Sequence, residues 1–343
     1  MNKTHKLITC ASYGGTGSSV VTDLLKEFDN VKSMGNFEFT FAYEINGISD
    51  LEHYVVDDYH RLKTDEGIYR FQQYIKSLSR GFNNYTQYFG HEFEKLSKEY
   101  IESLVDVEWE GFWHQHIYRN KIKSIYMYGP SVIKLFMFRM IGQKISKKRS
   151  TEYTPTFRRT PMKLSIGKDK FIKETQNYTS SLIDLLDKDN QFEYIALDQL
   201  VPPTNLQRYT RYFKDLKVIV VDRDPRDLFL LNKLYWNEGW IPTQNVEVFI
   251  KWFKLLRTDE NRDKEDNTNI MRIRFEDFIY NYDETLSKIT KFMEVDCNLH
   301  TQRKKYFNPE ISKKNCQLWN KHPGYEKEMN QILEELKEYC YEI

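Results

Sequence analysis

With 343 residues, 40% hydrophobic, 29% charged and a formal net charge of +1, the chain has the balance of a soluble globular protein. It is long enough to bury one large core, or one core with an inserted subdomain. The balance excludes the basic excess of an extended nucleic-acid footprint, and no apolar run reaches the ~18 residues of a transmembrane helix.

The opening Met-Asn-Lys-Thr-His-Lys leads into a core strand rather than a signal peptide. Cys10, Cys297, Cys316 and Cys340 show no C-x-x-C pairing and read as free thiols. A cytoplasmic location is therefore expected, and the N-x-[ST] triplets at Asn2, Asn84 and Asn177 read as chance. An aromatic share of 15% reads first as a well-filled core, with an aromatic-lined acceptor site as the alternative.

The first strand, Lys6–Ser12, runs into Tyr13-Gly14-Gly15-Thr16-Gly17-Ser18-Ser19 and directly into a helix over Ser18–Phe28, where Val20, Val21, Leu24, Leu25 and Phe28 recur at helical spacing. Strand, Gly-rich turn and helix N-terminus form a geometry that holds phosphate: glycine lets the backbone approach an anion, and the first N–H groups of the helix point at it. An ordinary strand-to-helix turn is the plainer reading. The lysine of G-x-x-x-x-G-K-[ST] is missing, and G-x-G-x-x-G does not fit because Val20 stands where the third glycine belongs. Neither standard nucleotide motif is present.

Val31–Phe39 is the second expected strand, with Glu38 at its end. From about residue 50 to 188 the strand signal fades into a polar, aromatic and mostly helical segment, expected to form a lid or acceptor subdomain inserted into a single domain spanning 1–343. Its clearest amphipathic stretch, Ser131–Lys148, carries Lys134, Arg139, Lys144, Lys147 and Lys148 beside Ile133, Leu135, Phe136, Met137 and Ile141. A solvated surface helix is the simpler reading; a basic wall facing an anionic substrate or a membrane surface is the other, which leaves room for peripheral membrane contact. His114-Gln115-His116 places two imidazoles close together but without further ligands at telling spacing, so no metal is expected.

Strand signals return at Tyr194–Leu197, Lys217–Val221 and Asn269–Phe275, and helical patterns at Arg226–Trp236, Val246–Arg257, Asp283–Met293 and Tyr325–Tyr339. This alternation predicts an α/β fold: a P-loop-like open parallel sheet flanked by helices, with a mostly helical insertion and ligands at the carboxyl ends of the strands. Lys217-Val218-Ile219-Val220-Val221-Asp222-Arg223-Asp224-Pro225-Arg226-Asp227 supplies a second anion element. Pro225 suits the first turn of the following helix, and Arg223 projects from the strand end with a donor fork suited to phosphate. A structural Arg–Asp network accounts for Arg226 and Asp227.

Together with Arg272-Ile273-Arg274-Phe275-Glu276-Asp277-Phe278, these elements resemble the sulfotransferases that use 3′-phosphoadenosine 5′-phosphosulfate (PAPS). The T-G-S-S loop and the tail Asn308–Trp319 are most similar to bacterial members associated with surface glycans. The four elements cover about a quarter of the chain, in the family's order. The resemblance implies that Gly14, Gly15, Thr16, Gly17, Ser18 and Ser19 cradle the 5′-phosphosulfate of PAPS. It further implies that Arg223 binds the 3′-phosphate while Lys313 and Lys314 close over it, with Asn315 joining them and Trp319 packed behind. It departs from the pattern at Gly15, where many relatives carry Lys or Arg, and at Leu231, where a Ser often helps hold the 3′-phosphate; Asn232 or Lys233 is the expected substitute. Arg158, Arg159 and Lys163 are candidates for the missing cation. Sulfuryl transfer needs positioning and charge stabilisation, and a base for the acceptor hydroxyl: Glu38 is the first candidate, with His114 or His116 next. Glu276 and Asp277 read as structural, while Asp198-Gln199 point at the crevice. The expected acceptor is a saccharide, in a polysaccharide or its lipid-linked precursor. A small apolar alcohol such as a sterol or phenol, a non-catalytic nucleotide binder and, last, a phosphotransferase are the alternatives.

Overall fold

A computed structural model describes residues 5–81, 84–113, 115–119, 121–142, 159–258, 265–266 and 268–342. Its centre is a five-stranded sheet in the order β2-β5-β1-β6-β7, formed by β1 (Lys6–Ser12), β2 (Val31–Glu38), β5 (Tyr194–Asp198), β6 (Leu216–Asp222) and β7 (Ile270–Arg274). Every pairing in it is parallel. The inner strands β1, β5 and β6 are apolar almost throughout because both faces are covered.

Alternation along each strand splits the core in two. Leu7, Ala11, Ile195, Leu197, Val218 and Val220 face one side, where α2 (Arg61–Arg80), α3 (Glu92–Leu104) and α5 (Phe171–Leu186) pack. Ile8, Cys10, Tyr194, Ala196, Ile219 and Val221 face the other, covered by α1 (Ser18–Leu25), α8 (Phe275–Tyr280) and α9 (Tyr282–Met293). A third cluster joins α6 (Pro225–Leu231), α7 (Val246–Leu256) and α10 (Glu326–Glu335).

The fold is thus an open parallel sheet flanked by helices. Between β2 and β5 the chain is mostly helical, but it includes an antiparallel pair, β3 (Val107–Gly111) with β4 (Thr160–Leu164), that the fading strand signal did not indicate. Its residues β3 Val-Glu-Trp-Glu-Gly and β4 Thr-Pro-Met-Lys-Leu are short and polar, a weak period-two signal. The amphipathic stretch lies in α4 (Lys121–Met137), which starts ten residues earlier than expected and continues as a π-helical turn through Phe138–Gly142. Lys144, Lys147 and Lys148 fall outside the described residues. Because all five strands are parallel, their carboxyl ends share one edge, which is where the glycine loop, Glu38, Asp198 and Arg223 lie.

Candidate functional site

The loop after β1 is glycine by necessity. Gly14 and Gly17 adopt φ of +84° and +105°, and a Cβ on either would strike an aromatic ring: Trp240 at 2.0 Å from Gly14, Phe275 at 2.5 Å from Gly17. Gly15 lies beneath Trp236. Gly17 is the N-cap of α1, and no side chain caps that first turn, which leaves helix N–H groups of Ser18 and Ser19 directed at the crevice. Thr16 turns away: its hydroxyl donates to the Val221 carbonyl at 2.7 Å and ties the loop to β6. Only its backbone remains for an anion. Ser12 and Gln199 clamp the start of the loop, the Gln199 amide donating to Ser12 Oγ at 2.6 Å and accepting from Ser12 N at 3.2 Å.

Phe275 joins the two anion elements. One part of its ring lies against Gly17, and the Arg223 guanidinium stacks over it at 3.9 Å from the centroid. Arg223 is buried. Its Nη2 donates to the Asn315 carbonyl at 2.8 Å, its Nε has no hydrogen-bond partner, and no carboxylate lies within ion-pair distance among the described residues. Burial lowers its pKa, opposed by the more distant charges of Asp227 and Glu276. Rather than opening freely into the crevice, Arg223 sits under the 3-10 turn Lys313–Asn315, with Lys313 and Lys314 exposed above it. Trp319 packs behind through Arg226, whose guanidinium lies 3.7 Å from its ring centroid.

The surrounding carboxylates are structural. Asp224 accepts from Arg226 Nη2 at 2.6 Å, Asp227 from the backbone of Gln317 and Leu318, Glu276 from Asp224 N, and Asp277 from the Tyr341 hydroxyl. Asn232, expected to replace a phosphate-binding hydroxyl, is buried with its amide fully engaged elsewhere. It donates to the Ile241 carbonyl at 3.1 Å and Thr243 Oγ1 at 3.0 Å and accepts from Glu238 N at 2.8 Å. Lys233 likewise donates to the Thr243 carbonyl. Both residues pin the segment that carries Trp236 and Trp240 over the glycine loop, and the Asn232 amide is engaged within that segment rather than directed at the crevice.

Glu38 and Asp198 are register partners at the ends of β2 and β5. A bulge between Ser33 and Glu38, with Gly35 at φ +74°, sets that register. Glu38 keeps one side open to solvent and forms no ion pair or side-chain hydrogen bond among the described residues. Its pKa is raised, by desolvation first and the charge of Glu44 second. Asp198 is buried; Ser18 Oγ donates to its Oδ2 at 3.2 Å, while Oδ1 has no partner. Burial, then the Glu38 charge, push its pKa up to about 7. Tyr43 stands close to both, its own pKa raised by burial and by Glu38, Glu44 and Asp198. The arrangement is a pair of carboxyl groups at adjacent strand ends beside the glycine loop, and burial makes Asp198 easier to protonate than an ordinary aspartate. Strand-end position marked both residues in the sequence; their coupling follows only from the register.

His116 lies elsewhere. Its ring bridges Asp65 Oδ2 at 3.0 Å and Thr160 Oγ1 at 3.2 Å, with Arg119 Nη2 donating to the same Asp65 oxygen at 2.6 Å. Burial acts to raise the Asp65 pKa but is outweighed by His116, the Lys163 N–H and Arg119, so the carboxyl is held low. This network walls a cavity of about 630 Å³ that includes Tyr69, Gln72, Gln73, Lys76 and Lys163 and none of the loop residues. His114 and Arg158 fall outside the described residues. Lys163 is 3.5 Å from Glu108 and faces the cavity. One helix links the two regions, since α2 also carries Tyr74, whose pKa is raised by burial and by Glu44.

No family profile matches the chain, and no curated protein matches it. Solved structures give loose likenesses. The sulfotransferase domain of a Synechococcus olefin synthase is 11% identical over 90% of this chain and 78% of that one, with a TM-score of 0.39. The sulfotransferase STF9 of Mycobacterium avium is 9% identical over 96% and 77%, with a TM-score of 0.37. The sulfotransferase domain of the curacin biosynthetic pathway is 14% identical over 86% and 76%, with a TM-score of 0.36. At such values these likenesses assign neither an activity nor a site to this chain.

Proposed function

We propose that this chain is a sulfotransferase that moves a sulfuryl group from PAPS to a hydroxyl of a saccharide acceptor. The observation that carries the reading is the placement of two anion elements, the uncapped glycine loop and the partly unpartnered Arg223, against the same Phe275 ring. A 3′,5′-substituted adenosine carries two anionic groups and suits such a pair. When bound, PAPS supplies the activated sulfuryl group. Gly14–Ser19 would hold the 5′ end with backbone N–H groups, and Arg223 with Lys313 and Lys314 the 3′-phosphate. Glu38 takes the proton of the acceptor hydroxyl, and Asp198, held by Ser18, tunes the charge beside it.

The acceptor reading rests on the cavity beside α2. Carboxamides, lysines and tyrosines suit a polyhydroxylated chain better than a sterol. The exposed rings of Tyr235, Trp236 and Trp240 near the loop favour the second reading, a small apolar alcohol. Thermal unfolding with 3′-phosphoadenosine 5′-phosphate, compared with AMP, ADP and ATP plus magnesium, tests the nucleotide. Saturation at ~100 times Kd adds about 2.7 kcal/mol. Stabilisation by the bisphosphate alone, lost in Arg223→Ala, is expected; stabilisation by ATP with magnesium, or by no nucleotide, refutes the proposal. Transfer of labelled sulfate to glycans or to phenols then separates the two acceptors.

A further inference from the structure

The charge of this chain is unevenly distributed. Between Glu110 and Glu152 there is no Asp or Glu, while nine Lys and Arg occur. The whole chain carries +1, so the remainder carries −8. The basic interval contains α4, and that helix turns apolar side chains outward. Ile122, Ile125, Ile133, Phe136, Met137 and Met140 are each more than half exposed. Tyr128 and Ser131 are the buried side of the same helix, and Tyr128 lines the cavity described above.

Counted at about 100° per residue, Ile122, Ile125, Val132, Ile133, Phe136 and Met137 fall within one half of α4, opposite Tyr128 and Ser131, and exposed Met140 and Ile141 follow in the π-helical turn. Lys134 falls beyond one edge of that arc, Arg139 lies in the π-helical turn that follows, and both are exposed. An exposed apolar arc with cations beside it is the layout of a helix lying in a membrane interface, its rings and aliphatic chains among acyl groups and its cations at the headgroups. No helix is long and apolar enough among the described residues to cross a bilayer.

We propose that α4 docks this protein on an anionic lipid surface, with Ile133, Phe136, Met137 and Met140 entering the interface and Lys134 and Arg139 meeting acidic headgroups. A second copy of the chain is a poorer occupant: a two-fold axis sets a face against itself, and here it would bring together two stretches that carry only positive charge. The reading stands independently of the reaction. It places the cavity behind α4 close to the bilayer surface, where a lipid-linked acceptor would be presented.

The test is co-sedimentation of the full chain with phosphatidylcholine vesicles and with vesicles containing phosphatidylglycerol. Binding to the anionic vesicles is expected, falling as added salt shortens the Debye length from about 10 Å to about 3 Å. Taking roughly fivefold per surface cation, removal of two by Lys134→Gln/Arg139→Gln lowers partitioning about 25-fold. Phe136→Ser/Met137→Ser should lower it as well, and exposed positions leave the thermal unfolding transition in place. Three results overturn the proposal: no binding to either vesicle, equal binding to both with no loss in the charge variant, or a dimer in light scattering that Phe136→Ser dissociates. If a variant fails to fold, the lipid and salt dependence of the unmodified chain decides.

Discussion

Replacing Asp198 with Asn should stabilise the protein, and increasingly so as pH rises. In the folded chain the carboxyl has a pKa raised from 3.8 to about 7, burial being the first cause and the Glu38 charge the second. Once unfolded, the carboxyl returns to its ordinary value, so between pH 4 and 7 the folded state binds more protons and stability falls as pH rises. Three pKa units at about 1.36 kcal/mol each give a penalty of roughly 4 kcal/mol above pH 7. Less than half of it is already present at pH 5, and most of the rest appears between pH 5 and 8. Asn has the same shape, accepts the Ser18 hydroxyl and has no charge to desolvate. Urea unfolding of both proteins at pH 5 and pH 8 reads the difference, and titrating groups remote from Asp198 cancel between them. The advantage of Asp198→Asn should grow by roughly 2–3 kcal/mol across that interval. A constant difference, or one that shrinks with pH, would show that Asp198 is not a desolvated carboxyl.

Glu38→Gln should lower the rate of transfer by about 10²- to 10⁴-fold while the nucleotide dissociation constant, measured by calorimetry, stays unchanged. Glu44→Gln removes a charge that raises the Glu38 pKa, so the acidic limb of the pH profile of kcat/KM should move to lower pH. Gly17→Ala puts a methyl against Phe275 at φ +105°; a loss of about 1–3 kcal/mol in thermal unfolding is expected, with loss of stabilisation by the bisphosphate nucleotide. Asn232→Ala leaves the carbonyl of Ile241 and the N–H of Glu238 without their partner; fluorescence of Trp236 and Trp240 should shift toward the solvent-exposed value and stability fall by about 1–3 kcal/mol.

The sheet was legible because its inner strands are apolar runs bounded by turn residues. β1 spans Lys6–Ser12 as read, and β5 and β6 differ from the expected ranges by a residue at their ends. Parallel pairing then fixes where the strand ends lie, so the glycine loop, Glu38, Asp198 and Arg223 follow from topology once the order is known. The β3–β4 pair was not legible, since five-residue strands with alternate charges look like loop. Contacts were least legible of all. Asn232 reads as a free polar residue on a helix, and only the fold reveals that the turn through Glu238, Ile241 and Thr243 returns over it. Phe275 reads as the end of a strand in the sequence, whereas in the fold its ring lies against both Gly17 and Arg223.

The glycine at position 15 takes on a different meaning in the fold. Read along the chain, Gly15 is a missing cation. In three dimensions its φ is +68°, and a Cβ there would meet Trp236 at 2.8 Å and Leu228 at 3.0 Å. No lysine fits without moving Trp236, which belongs to the segment that Asn232 and Lys233 hold in place. The aromatic cover and the absent side chain therefore go together: indole rings can roof a loop with no side chain at this position, and on the proposed function such a loop would meet its anion with backbone N–H groups. On the proposed function, charge at the reacting end would come from the helix N-terminus rather than from a loop lysine.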